Sequence, residues 1–283
     1  MNIKITADST CDLPAGIIEK YGISIIPLHI IKGEESFKDG VEITPKDIFA
    51  YVDSGAGTCG TACVNISEYH DCFEEYLKDH DAIVHIALSS ELSSSCQNAM
   101  TAAADFDNVY VVDSRNLSTG SGHLVMDAAK LAASGMDASE IAQKLSENAP
   151  LLEVSFIIDS LKYLHKGGRC SALAALGANV LKLKPCIEVS DGKMDVGKKY
   201  RGSFDKVIVQ YVHDRLAGRT DIDPRRIFIT YTTEVPENVI AAVRDEVCAC
   251  QSFDEICYSS AGCTISNHCG TVSLGILFFR KAE

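Results

Sequence analysis

The stretch AIVHIALSSELSSSCQNAMTAAA, residues 82–104, constrains this chain more than any other. Residues 83–88 form an apolar run broken only by His85, which predicts a buried strand. Ser89, Ser90, Ser93, Ser94 and Ser95 then place five hydroxyls within seven residues. The Ala-rich segment 95–104 behind them predicts a helix. A strand feeding a helix through a short turn is the repeating unit of an α/β fold. Such a turn also suits an anion. The first helical N–H groups have no partner inside the helix, and the helix dipole favours negative charge there. Serine hydroxyls add donors that rotate to meet an oxygen. The same hydroxyls serve equally well to cap the helix and close the turn, and the residues alone leave both readings open.

Alternation of this kind runs through the first half. Strand patterns at 3–6, 23–31, 83–88 and 109–113 alternate with helical patterns at 14–21, 67–78, 95–104, 121–133 and 138–149. Thr44-Pro45-Lys46-Asp47 opens a further helix with a capping Thr and Pro at the first helical position. This order predicts a mostly parallel sheet with flanking helices. The second half is less regular. Strands are expected at 154–158, 186–189, 193–200, 226–230, 255–258 and 271–279, and helices at 160–166, 203–217 and 236–247. Asp191-Gly192 is a hairpin signal, so the second sheet is expected to be mixed or antiparallel. A helix ends at Asn148-Ala149-Pro150. The expected domains are therefore 1–150 and 151–283.

The chain is long enough for two such domains, with 283 residues of which 46% are apolar. A net charge of −13 argues against nucleic acid or an anionic membrane surface as partner. Any anion must then be held by local donors. The N-terminus enters a strand without a signal-peptide pattern, and no apolar run is long enough to span a bilayer. A cytoplasmic protein with no transmembrane segment is expected. The 12 cysteines are then expected to be thiols that behave as small hydrophobes. Cys263, His268 and Cys269 lie close in sequence, but without the paired spacing of structural zinc sites, and no metal site is expected.

Gly55-Ala56-Gly57-Thr58-Cys59-Gly60 has the letters of a dinucleotide fingerprint, yet it follows a helical pattern and opens none, so a loop is expected. A serine hydrolase would use Ser93 as nucleophile, His268 as base and Asp8 or Asp113 as the orienting acid. No Gly-x-Ser-x-Gly elbow is present, although triads assemble in space rather than in sequence. No phosphate-loop pattern occurs. Gly167-Gly168-Arg169, with Lys182, Lys184, Lys198, Lys199 and Arg201 downstream, is a local basic cluster in an acidic chain. A solvated face explains it as well as a contact does.

Several separated segments agree with one family. They are Ala7-Asp8-Ser9-Thr10, Thr61-Ala62-Cys63-Val64-Asn65, Ser89-Ser90-Glu91-Leu92-Ser93 leading into Gln97-Asn98-Ala99, Asp113-Ser114, Lys166-Gly167-Gly168-Arg169 with Lys184-Pro185, and Asn267-His268-Cys269-Gly270. In order and spacing the chain resembles the DegV family of bacterial fatty-acid-binding proteins, over roughly residues 3 to 280. The resemblance implies an N-terminal α/β domain and a C-terminal α/β domain with one fatty acid held between them. It implies a carrier rather than an enzyme, the lipid-bearing partner of a separate ATP-binding fatty acid kinase, with no cofactor. Carried over by position, Thr61, Ser93, the Ser94 backbone N–H and His268 hold the carboxylate. Arg169 and Arg201 fall at positions that look like kinase contacts.

The chain departs from the family around these residues. It has Thr61-Ala62-Cys63-Val64-Asn65 in place of Thr-Ser-Gln-Pro-Ser. It has Ser93-Ser94-Ser95-Cys96 in place of Ser-Gly-Thr-Tyr, and His268-Cys269-Gly270-Thr271-Val272 in place of His-x-Gly-Pro-Gly. The carboxylate ligands survive and their neighbours do not. The implied ligand is palmitate or a similar acid of roughly C14–C18, whose burial contributes about 0.8 kcal/mol per methylene. About fourteen methylenes give roughly 11 kcal/mol before ordering costs, so the tail drives binding and the head group orients it. A protonated His268 would add a charge-assisted bond. The competing expectation is an acyl-ester hydrolase using Ser93 and His268.

Overall fold

The computed structural model describes residues 1–170 and 183–282. Lys182 of the basic cluster lies outside the described residues. The chain divides into two compact units. The first comprises Met1–Pro150 with Gly262–Thr264, and the second takes the remaining described residues.

The first unit runs β1 (Ile3–Asp8), α1 (Ala15–Tyr21), β2 (Ser24–Ile26), β3 (His29–Lys32), β4 (Glu35–Lys38), α2 (Pro45–Asp53), β5 (Gly60–Ala62), α3 (Ile66–Leu77), β6 (Ala82–Ala87), α4 (Ser95–Ala103), β7 (Val109–Asp113), α5 (Thr119–Ala133) and α6 (Ala138–Asn148). Its main sheet is parallel throughout, in the order β2-β1-β6-β7. All six residues of β6 are buried, as expected of a strand covered on both faces. Thr44 opens α2 as anticipated: its hydroxyl accepts the Asp47 N–H, and Asp47 accepts the Thr44 N–H in return. Asn65 and Glu68 repeat this capping box at α3.

Two features differ from the sequence pattern. The apolar run 23–31 is two strands rather than one, and they lie in different sheets. Pro27 between them has no N–H for a ladder, and the next N–H, that of Leu28, donates to the Ser9 hydroxyl. The freed strand β3 pairs with β4 and β5 in a small antiparallel sheet that the pattern did not reveal. The glycine-rich stretch is the expected loop from Gly55 to Cys59, and only its last residue, Gly60, belongs to β5.

The second unit runs β8 (Leu152–Ile158), α7 (Lys162–Gly167), β9 (Leu183–Ser190), β10 (Lys193–Arg201), α8 (Phe204–Leu216), β11 (Ile222–Tyr231), α9 (Glu237–Cys250), β12 (Ile256–Ser260), α10 (Cys263–Cys269, its first two residues grouped with the first unit) and β13 (Ser273–Arg280). Its sheet has the order β10-β9-β8-β13-β11-β12. Only β11 and β12 pair in parallel, so the sheet is mixed. Asp191 and Gly192 both take positive φ, 49° and 82°, and close the β9–β10 hairpin. Helices α8 and α9 bury Val207, Ile208, Tyr211, Val243 and Val247 against Ile227, Ile229, Leu274 and Ile276. The buried Tyr211 hydroxyl donates to the Ser155 carbonyl and accepts the Ile276 N–H, so it pins β8 to β13.

The order of the parallel sheet decides where a site can form. From β1 the chain moves to one side to make β2, then returns to the other side to make β6. Beyond the carboxyl ends of β1 and β6 lies the crevice that open α/β sheets use for ligands. Asp8 ends β1 there and is 1% exposed. Its carboxylate accepts the Tyr69 hydroxyl at 2.5 Å and the Leu88 N–H at 2.8 Å. Asp8→Ala leaves both donors buried without an acceptor. It is expected to cost roughly 3–5 kcal/mol in urea unfolding. A loss below about 1 kcal/mol would show that the carboxylate does not anchor this corner.

Candidate functional site

Asp8 holds the exit of β6 through Leu88, and the serine turn begins at the next residue. The Ser89 N–H donates to the Asn116 carbonyl at 3.0 Å, and the Ser114 N–H donates to the Ala87 carbonyl at 3.2 Å. The turn is thus fastened to the strands on both sides. Within it, Leu92 and Ser93 donate their N–H groups to the Ser89 carbonyl.

The five serines divide their work. The Ser89 hydroxyl accepts the Glu91 N–H, and the Ser90 hydroxyl donates to Asp113 at 2.6 Å. The Ser93 hydroxyl accepts the Ser95 N–H at 3.2 Å and lies 3.0 Å from the Ser95 hydroxyl. Ser94 is the N-cap residue of α4, exposed, with no side-chain cap bond of its own. Capping, one of the two readings of the sequence, accounts for Ser89, Ser90 and part of Ser93. Ser93 is half-buried and shares a hydroxyl–hydroxyl bond with Ser95 in which either oxygen can donate, and Ser94 stands at the helix N-terminus where the dipole favours an anion.

Thr61 lies in the middle of β5, opposite Ile30 of β3, and is half-buried. The Asn98 side chain on α4 joins this segment to the turn. Its amide donates to the Val64 carbonyl at 2.8 Å and lies 3.5 Å from the Cys63 sulfur. The stretch behind Thr61 is therefore tied to the helix behind Ser93. Asn98 and Tyr69 are residues whose part here sequence reasoning did not assign. The Asn98 signal was its place in a matched segment, and Tyr69 carried none beyond its position on an amphipathic helix.

The carboxylates weighed for a hydrolase triad are engaged elsewhere. Asp8 serves Tyr69 and Leu88, and its nearest imidazole is the buried His85 at 3.4 Å. Asp113 accepts the Ser90 N–H and hydroxyl and the Arg115 N–H. Among the described residues the Ser93 hydroxyl pairs with Ser95 and not with a base.

In the second unit the structure brings together His268, Gly167 and Arg169. Gly168 takes the left-handed conformation, φ 67°, and caps α7, as the Gly-Gly pair predicts. Arg169 turns back to donate to the Gly167 carbonyl at 2.7 Å and is otherwise exposed. Gly167 has a second reason to be glycine: a Cβ there would stand 2.0 Å from Nδ1 of His268. Any side chain would turn the imidazole away. Burial, and then the Arg169 guanidinium, push His268 down to about 4. The ring is neutral at pH 7, so the charge-assisted bond expected from the sequence requires a ligand that brings a proton with it.

Arg201 ends β10 opposite Leu183 and is exposed. No bond among the described residues links it to Arg169 or His268. Part of the basic cluster is neutralised: Lys184 pairs with Asp159 at 2.5 Å, and Lys198 with Asp214 at 2.6 Å. Cys263 donates its thiol to the Ile43 carbonyl at 3.1 Å inside the first unit. No disulfide forms among the described residues, and no helix among them is long and apolar enough to cross a membrane.

Comparison with known proteins agrees over the whole length. The model of the DegV family, described as uncharacterised proteins, matches residues 2–281. A DegV domain-containing protein of Caldanaerobacter subterraneus subsp. tengcongensis is 31% identical over 284 residues, covering 99% of each chain. A DegV family protein from Thermus thermophilus, described for its fatty acid binding, superposes with a TM-score of 0.88 at 27% identity, covering 99% of this chain and 100% of that one. DegV of Bacillus subtilis, described as a fatty acid binding protein, gives 0.85 at 26% identity, covering 99% and 100%. The chain belongs to the DegV family.

Proposed function

We propose that this chain binds a long-chain fatty acid as a carrier and holds its carboxylate with Thr61, Ser93, the Ser94 N–H and His268. The observation that carries this reading is the place of the serine turn. It stands beyond the carboxyl ends of β1 and β6, where the strand order reverses, with donors at a helix N-terminus. The Thermus and Bacillus relatives, described as fatty acid binders, support the same class of ligand. Their function as binders, and the partners already engaged by Asp8 and Asp113, favour a carrier over an acyl-ester hydrolase.

The proposal extends to a partner. Arg169 and Arg201 are exposed cations on an acidic chain, suited to an ATP-binding fatty acid kinase that phosphorylates the presented carboxylate. Arg169→Ala is expected to leave fatty acid affinity unchanged and to slow phosphoryl transfer in a reconstituted assay with such a kinase. Loss of lipid binding instead would place Arg169 at the ligand.

Ser93→Ala removes a donor to a charged group, and palmitate affinity is expected to fall about tenfold. The lost cap bond to Ser95 costs about 1 kcal/mol, too little to unfold the chain. Unchanged affinity would remove Ser93 from the site.

His268 supplies a pH test. Its native value near 4 lies below the ordinary 6.5, so the unfolded chain takes up a proton first as pH falls. Without ligand, stability relative to His268→Gln is therefore lost as pH falls from about 6.5 to about 4. A carboxylate beside the ring favours its charged form, so palmitate is expected to reduce that loss. Urea midpoints across this range read both effects. A pH profile that palmitate leaves unchanged would take His268 away from the carboxylate.

A further inference from the structure

A second cluster of reactive side chains sits on the paired helices of the second unit. His213 lies in the last turn of α8, and Glu246 and Cys250 lie one turn apart on α9. Nδ1 of His213 is 2.7 Å from Oε1 of Glu246. The Cys250 sulfur is 3.2 Å from that oxygen and 3.8 Å from Nδ1. One ligand atom from each residue lies within 4.8 Å of the other two.

We propose that His213, Glu246 and Cys250 form a zinc site, with water completing a tetrahedron. Zinc holds imidazole nitrogen and carboxylate oxygen at about 2.0–2.2 Å and thiolate sulfur at about 2.3 Å. Tetrahedral ligands at those lengths stand roughly 3.3–3.7 Å apart. The two separations to sulfur already lie close to this range. The His213–Glu246 contact is a hydrogen bond and must open by roughly 0.6 Å. His213 can supply that movement, since its side chain is 61% exposed.

The chemistry is consistent with this. A nitrogen, an oxygen and a sulfur donor suit zinc, whereas magnesium and calcium take oxygen alone. Zinc takes the thiol as thiolate, and the thiol proton goes to solvent. The imidazole binds through Nδ1 and keeps its proton on Nε2. The helices that carry the ligands are fixed by the buried valines and Tyr211 between them, so the triangle is held by a packed scaffold. None of the three residues takes part in the fatty acid reading. Occupancy would clamp the C-terminal ends of α8 and α9 together.

Cobalt(II) is the probe, titrated into the reduced full-length chain. One equivalent is expected to bind with a thiolate-to-cobalt charge-transfer band, to be displaced by zinc, and to raise the melting temperature. Cys250→Ser is expected to abolish the band. His213→Ala, at an exposed position, is expected to weaken cobalt binding at least tenfold, as loss of even a supporting residue can do. Cys248→Ser alters an exposed thiol two residues away and is expected to leave the band unchanged. Absence of the band in the native chain, or its survival in Cys250→Ser, would overturn the site.

Discussion

A buried carboxylate fixes the corner on which the proposed site depends. Asp8 ends the first strand and takes hydrogen bonds from Tyr69 on α3 and from Leu88 as the chain leaves β6. A carboxyl group at 1% exposure is tolerated only with hydrogen-bond partners such as these. In return it sets where β6 stops, and therefore where the serine turn begins. The Ser93 hydroxyl and the N-terminus of α4 inherit their positions from that bond pair. Asp39, also buried, has a matching part in the same unit. It accepts the Ser9 hydroxyl, the Cys263 and Thr264 N–H groups and the Thr264 hydroxyl, and so holds segment 262–264 in place.

In the second unit the corresponding constraint is room rather than charge. Gly167 leaves the space that the His268 ring occupies, and Gly168 ends the helix by turning left-handed. The Lys-Gly-Gly-Arg segment thus performs three tasks in four residues. It closes α7, seats an imidazole and presents a cation. The cation and burial together keep the imidazole neutral, which makes its charge responsive to an arriving carboxylate.

Much of this was legible in the sequence, and the reasons differ by element. Strand β6 announced itself because a fully buried parallel strand is a nearly continuous apolar run, here broken only by His85. Helices α2 and α3 carry caps, although only that of α2 was read from its Thr-Pro start. The Asp191-Gly192 turn was plain because two adjacent positive φ angles demand such residues. The small sheet was not legible. Its strands are three or four residues long, too short for a period to show. Helix α10 was missed because Cys, Thr, Ser, Asn and His are weak helix formers, and its start is held by Asp39, far away in sequence. The serine turn was visible as a donor-rich element, but which hydroxyls serve the fold is decided by Asp113 and by backbone N–H groups that the turn itself brings round. The His213–Glu246–Cys250 triangle left no trace. Two of its members share helical spacing, and the third comes from another helix.

The central claim is that the serine turn and its neighbours hold a fatty acid carboxylate in a carrier. Mass spectrometry of lipid extracted from the purified protein tests it most directly. The account predicts one long-chain fatty acid per chain, recovered without turnover of a chromogenic acyl ester. A protein that is empty, and that fails to take up added palmitate, would contradict it. The substitutions around Thr61 and Ser93 would then have changed the ligand.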